Sequence, residues 1–308
     1  MNYPKNQIEF DRMFKTEQDC IDYLISIRWS QGFECPTCGS VRTWKKSKKR
    51  FECIDCHTET TVTSGTIFHK STKPLKVWFY AIWWIVAQKN GVSAKGLMRI
   101  IGLGSYRTSW TWLHKFRRLM VLSSRSKLQG IIEVDEVLLG GKKSGKRGRG
   151  AEGKSLIAVA VEVKGRKTGR VRLAKIPDAS SISLNEFIEN NIKKASTIIT
   201  DEWPSYNKLE SMGYIHKTQK ATAKNENEDE EVLPNVHRIA SLLKRWLLGT
   251  HQSYVNKNKL GYYLDEYVFR YNRRTSTSRG LLFLRLIEQA VKTPPVSYKE
   301  IINQKHGS

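Results

Sequence analysis

Apolar positions recur along this chain first with a helical period and later with the short runs of buried strands. From Lys73 to Lys89 the pattern predicts a long apolar helix, stopped by Asn90-Gly91. A shorter helix follows, with Ser93 as its cap, Leu97, Ile100 and Ile101 on its apolar side, and Gly102 or Gly104 at its end. A third starts near Ser105 or Tyr106 and carries Trp110, Trp112, Leu113, Phe116 and Leu119, with Arg107, His114, Lys115, Arg117 and Arg118 between them. Short helix, glycine turn and basic helix is the order of a helix-turn-helix, although a generic three-helix bundle would show much the same pattern.

After Gln129-Gly130 the period changes. Ile131 to Leu139 is a strand-length run of branched residues ended by Gly140-Gly141, and Asp135 sits in its middle. Strands are predicted again over Ser155 to Val163 and Gly169 to Ile176, which makes an antiparallel meander. A helix over Asp178 to Lys194 precedes a short strand, Ser196 to Thr200, that runs into Asp201; Pro204 cannot continue its ladder. A helix over Val236 to Leu248 carries His237, Ser241 and Lys244 on one face. Lys257 to Arg285, rich in tyrosine and arginine, predicts a helix packed on the sheet, and the last twenty or so residues, with Pro294-Pro295, read as a loosely attached tail.

Composition narrows the partner. Lysine and arginine number 53 against 29 acids, for a net charge of +24 and a pI near 9.9. A chain this basic seeks polyanions. The charge lies in three separate runs, Arg42 to Arg50, Lys142 to Lys154 and Arg270 to Arg279, interleaved with aromatic residues, which favours nucleic acid over a membrane surface. Met1 to Asp19 has no apolar core segment of a signal peptide, and Trp78 to Ala87 is about half the length of a membrane span. The expected location is therefore the cytoplasm, with the nucleoid of a prokaryote as its destination.

The cysteines form a pattern of their own. Cys35 and Cys38 make one CxxC knuckle, Cys53 and Cys56 a second, with 14 residues between them. This is the spacing of a zinc ribbon, in which four thiolates close a tetrahedron and leave no open position, so the Zn2+ is structural. Disulfides or a redox dithiol are the competing readings and do not suit a cytosolic chain. His57 and His69 are alternative ligands that four cysteines make unnecessary, and Cys20 reads as a buried apolar residue.

A carboxylate in the middle of an apolar strand is costly unless it faces a metal or a cleft. Asp135 is such a residue, and Asp201, at a strand end beside it, is a second. Three strands, a helix and a fourth strand bearing the second acid is the RNase H-like order, so the expected fold class is α/β with a mixed (α+β) sheet. The domains read as 1–70 with the zinc ribbon, 71–128 with the helix-turn-helix bundle, 129–290 as the RNase H-like core and 291–308 as the tail.

At this point the chain resembles the zinc-ribbon DDE-type insertion-sequence transposases, in particular the group numbered fifteen ninety-five. The likeness rests on the ribbon, on VDEVLLGGK at Val134 to Lys142, on LLKRWLLGTHQ at Leu242 to Gln252, and on YLDEYVFRYNRR at Tyr263 to Arg274. The 35 residues between Asp201 and His237 match the interval that names the D,D(35)E pattern, and Lys244 lies seven further on. The resemblance implies a transposase that binds terminal inverted repeats of double-stranded DNA and cuts and joins strands with two divalent ions, Mg2+ or Mn2+, as a homo-oligomer on the DNA. It implies Asp135 as bridging ligand, Asp201 as a ligand of one metal and Lys244 as a phosphate contact. DNA contacts are expected from Arg107, Lys115, Arg117, Arg118, Lys146, Arg147, Arg149, Arg273 and Arg274.

His237 stands where the wider pattern has an acid. It reads as third metal ligand, as proton relay or as the mark of a decayed site. As a ligand it lowers the charge of the site and suits Mn2+ or Zn2+ better than Mg2+. The rival functions are a non-catalytic DNA-binding regulator and a stand-alone RNase H-like nuclease.

Overall fold

Burial and backbone pairing follow the apolar pattern closely where strands are long and helices uninterrupted. The computed structural model describes residues 2–121, 125–140, 154–219, 232–252 and 255–303. The chain divides into two compact units. One holds the described residues up to Met120 together with those from Ser276 onward, and the other holds the stretch from Val121 to Thr275.

The first unit begins with α1 (Gln7–Met13) and α2 (Glu17–Arg28), the latter opened by a capping box in which Thr16 and Asp19 satisfy each other's backbone amides. A three-stranded antiparallel sheet follows: β1 (Thr43–Lys45), β2 (Arg50–Cys53) and β3 (Glu59–Thr61). Helices α3 (Leu75–Ala87), α4 (Ala94–Ile100) and α5 (Tyr106–Leu119) lie where the periodicity puts them, and the α4 to α5 turn passes through Gly102 at φ +63. Trp78 stacks on Trp112 with ring centroids 3.6 Å apart, so the tryptophan-rich stretch is core.

The second unit is built on a five-stranded mixed sheet. Its strands are β4 (Ile131–Leu139), β5 (Ser155–Lys164), β6 (Lys167–Ile176), β7 (Thr197–Thr200) and β8 (Ile215–Thr218), in the spatial order β6-β5-β4-β7-β8. β5 runs antiparallel to both β4 and β6, whereas β4, β7 and β8 are mutually parallel. This is the RNase H-like order, with β4 at its centre. The side chains of β4 alternate between two cores. Ile132 and Val134 join Leu184, Phe187 and Ile188 of α6 (Ser181–Asn191), while Val137 and Leu139 join Val236, Ile239 and Leu243 of α7 (Pro234–His251). Helix α8 (Leu260–Asn272) covers the same face as α7.

Two expectations at the C-terminal end are corrected. The single helix expected over Lys257 to Arg285 is two, α8 and α9 (Arg279–Lys292), parted at Arg273 to Ser278, and α9 belongs to the first unit rather than to a core ending at 290. The reason is packing: Phe283 of α9 is buried among Phe10, Phe14, Tyr23, Phe79 and Trp83. Gly280 fixes the approach, since a Cβ there would lie 1.7 Å from the Pro4 carbonyl oxygen. The expected loose tail is also ordered up to Asn303, because α10 (Tyr298–Asn303) and the segment before it bury Ile301 and Val296. Among the described residues no helix is long and apolar enough to cross a membrane.

Candidate functional site

The thiols of Cys35, Cys38, Cys53 and Cys56 lie within 4.8 Å of one another. Cys35 and Cys56 are 3.6 Å apart through sulfur and Cys38 and Cys53 3.5 Å, close to the roughly 3.8 Å edge of a tetrahedron with Zn–S bonds of about 2.3 Å. Each knuckle is closed by its own backbone: the Gly39 amide donates to the Cys35 carbonyl, and the His57 amide to that of Cys53. Both closing residues have positive φ, at +73 and +55. Phe33 and Phe51 pack beneath the knuckles against Trp29, a core too small to hold the module by itself. His57 turns instead to Glu52, and the His69 ring accepts the Gly65 amide, so neither joins the thiols.

On the central strand, the Asp135 carboxyl is pushed up to about 6. Burial is the first cause, opposed by a hydrogen bond from the Glu136 amide; the charges of Glu136 and Asp201 add to the rise and that of His237 opposes it. Asp135, Asp201 and His237 are thus brought within electrostatic reach of one another from β4, from the turn after β7 and from α7. Among the described residues only the four cysteines form a ready-made cage of metal ligands; the three residues around Asp135 do not close into one. The Asp201 carboxylate accepts the amide of Trp203, which shapes the turn that ends β7. Glu136 faces the other side of the sheet, where the buried Tyr206 hydroxyl donates to it at 2.8 Å; with burial as first cause and Glu136 next, the phenol is held well above its ordinary range.

Helix α7 shows one face to the core and another to solvent. Val236, Ile239, Ala240, Leu243 and Leu247 are buried, whereas His237, Ser241, Lys244 and Leu248 form an exposed stripe. The start of this helix is secured from the sheet. Oε2 of Glu133 accepts the amides of Asn235 and Val236 at 2.8 and 3.0 Å, and its Oε1 accepts the Asn235 side-chain amide at 2.7 Å. Sequence reasoning passed over Glu133, and its only signal was an acid two positions before Asp135 on the same strand face.

The basic residues expected to meet DNA have diverse surroundings. Arg107 is exposed and stacks on Tyr298 at 3.8 Å. Arg118 is half-buried, and Lys115 lies over the Trp78 ring, its ammonium pulled below the usual lysine range by burial. Arg117 is 1% exposed, which removes it from any contact surface: position 117 falls on the inner face of α5 with Leu113 and Phe116. Arg273 donates to the Phe269 carbonyl, and Arg274 donates to the carbonyls of Thr168, Gly169 and Tyr271, so both hold the end of α8. Lys146, Arg147 and Arg149 lie outside the described residues. Lys95 and Arg99 of α4 and Tyr106 at the start of α5, which the sequence reading did not single out, are exposed.

Residues 127–272 match the family model of the ISXO2-like transposase domain, and residues 15–59 that of the transposase zinc-ribbon domain. A protein in the transposable element ISH50 of Halobacterium salinarum is 25% identical over 281 residues, covering 84% of this chain and 92% of that protein. Among solved structures, the catalytic core domain of BIV integrase is 16% identical, with 45% of this chain and 81% of that chain covered and a TM-score of 0.28. The Mos1 strand transfer complex is 14% identical, with 68% and 81% covered and a TM-score of 0.20.

Proposed function

We propose that this chain, whose residues 127–272 match the ISXO2-like transposase domain and 15–59 the transposase zinc-ribbon domain, is an insertion-sequence transposase that binds the terminal inverted repeats of its element and catalyses metal-dependent DNA strand cleavage and strand transfer. The observation that carries this reading is the group around Asp135: burial first, and then the charges of Glu136 and Asp201, raise its carboxyl, while a hydrogen bond from the Glu136 amide and the charge of His237 oppose the rise. A buried carboxylate with a second acid nearby suits a bound cation, and two carboxylates with an imidazole are a donor set that Mn2+ accepts more readily than Mg2+. Asp135, Asp201 and His237 are the residues that would hold the metal, which when bound supplies Lewis-acid activation of a water or a DNA 3′-hydroxyl. Lys244, two turns along the exposed stripe from His237, is suited to a phosphate of the DNA there.

Docking is assigned to the first unit. Helix α5 offers exposed Tyr106 and Arg107 in its first turn, the end that enters the major groove in helix-turn-helix proteins, and α4 adds the exposed Lys95 and Arg99. On the ribbon, Trp44 is 64% exposed amid the basic run Arg42 to Arg50. The four thiols would hold Zn2+ as the structural ion. Pairing two element ends requires more than one copy on the DNA.

Strand cleavage of terminal-repeat DNA tests the proposal. His237→Ala is expected to lose on the order of 100-fold or more in rate, whereas His237→Glu is expected to retain turnover and to shift its preference towards Mg2+. Turnover at the wild-type rate by His237→Ala removes the histidine from the mechanism. Absence of cleavage by the wild type in either ion favours the non-catalytic regulator.

A further inference from the structure

Among the described residues, four helices are capped by the serine that immediately precedes them: Ser93 for α4, Ser105 for α5, Ser180 for α6 and Ser278 for α9. Helix α7 has no such cap. Leu233 stands before it with φ +52 and no side-chain hydrogen bond, and Pro234, in its first turn, has no amide to give. The next two amides, of Asn235 and Val236, go to a carboxylate from another element, Glu133 of β4, 5% exposed. An acid buried there is stabilised by the two amides and by the positive end of the helix dipole.

The contact is more than a cap because it continues. The Asn235 side chain donates to Glu133 Oε1 and accepts the Thr168 hydroxyl of β6 at 2.9 Å; the same hydroxyl oxygen accepts Arg238 Nη1 at 3.1 Å. Central strand, third strand and α7 are therefore interlocked through one buried polar network. Its ends lie next to the site. Glu133 is two residues before Asp135 on the same strand face, and Asn235 is two residues before His237.

We propose that Glu133 is a positioning residue of the active site, fixing where α7, and with it His237 and Lys244, stands relative to Asp135. The inference rests on the reading of Asp135 and His237 as the metal-holding pair. A clamp of this kind acts on the rate of chemistry rather than on docking, since a displacement of about 1 Å at reacting groups lowers rates by about 100-fold.

The experiment uses the full chain and terminal-repeat DNA, with three readouts: single-turnover cleavage, DNA affinity, and hydrogen exchange of the Asn235 and Val236 amides. Glu133→Ala is expected to keep DNA affinity within about twofold, to lose about 100-fold in cleavage, and to exchange those amides at least about tenfold faster. Glu133→Gln, whose carbonyl oxygen still accepts both amides once the Asn235 amide turns over, is expected to recover most of the rate. In a His237→Ala background Glu133→Ala should lower cleavage by less than it does in the wild type, the signature of one residue acting partly through the other. Wild-type cleavage by Glu133→Ala while His237→Ala is impaired overturns the inference, as does a loss that adds in full to that of His237→Ala. Should the Ala variant fail to fold, Glu133→Asp, whose shorter side chain withdraws the carboxylate from both amides, takes its place: unchanged amide exchange and cleavage in that variant overturns the inference. Wild-type cleavage by Asp135→Asn instead overturns the site reading itself, separately from Glu133.

Discussion

At the scale of single residues, Asp135 carries the most consequence. Its carboxyl titrates near 6 in the folded chain against about 3.9 when unfolded. A raised folded value means that the protonated form contributes stability that is fully present below about pH 4 and is lost as pH rises through 6. Asp135→Asn, which keeps an acceptor for the Glu136 amide, is therefore expected to stabilise the protein by about 2 kcal/mol at pH 7.5 in the absence of added divalent metal. Thermal unfolding should show this gain shrinking between pH 6 and 4. Added Mn2+ should narrow it too, since the ion binds the native wild type. An unchanged difference across pH would mean that the carboxyl is not under the strain described. Arg117 illustrates a different limit of residue-level reading. Its neighbours in sequence made it one of four cations on a helix, but a helix turns 100° per residue, and position 117 falls on the buried side rather than towards solvent.

At the scale of elements, the long strands and the uninterrupted helices were legible and their partners were not. Ile131 to Leu139 was readable to the residue because an apolar, β-branched run ended by two glycines has few alternatives. Strand β8, Ile215–Thr218, escaped notice because four mostly exposed residues on a sheet edge leave almost no apolar signature. The ribbon was the clearest element of all, since CxxC spacing is itself the chemistry of the site. Cys35→Ser is expected to lower bound zinc from about one ion per chain and to weaken the ribbon. Metal analysis beside hydrogen exchange of β1 to β3 measures both. Full zinc occupancy in the variant would mean that three thiols and another donor suffice.

For the molecule as a whole, a net charge of +24 spread over both units predicts DNA binding that weakens steeply with salt. For duplex ends, the slope of log affinity against log salt is expected to be on the order of −5 or steeper. Arg107→Ala should make it shallower by about one, whereas Arg117→Ala should leave it in place and lower the melting temperature. Equal effects of the two variants on the slope would contradict the burial of Arg117. The division of the chain is also a property at this scale. That α9 and α10 return to the first unit depends on Phe283 finding a cage of five aromatic rings and on Gly280 meeting Pro4, contacts between positions two hundred or more residues apart.

The sequence by itself determined what local chemistry encodes: four thiols at ribbon spacing, the order of strands and helices, an acid in mid-strand, and a histidine 35 residues beyond a second acid. Each is a matter of period, spacing or residue type within a few turns of chain. Only the tertiary structure decided which cations are buried, which unit the last helices join, and that Glu133 rather than a neighbouring serine holds the start of α7. Those outcomes come from packing and hydrogen bonding between segments a hundred or more residues apart, and no local pattern records which distant group will satisfy a buried amide or cover an apolar face.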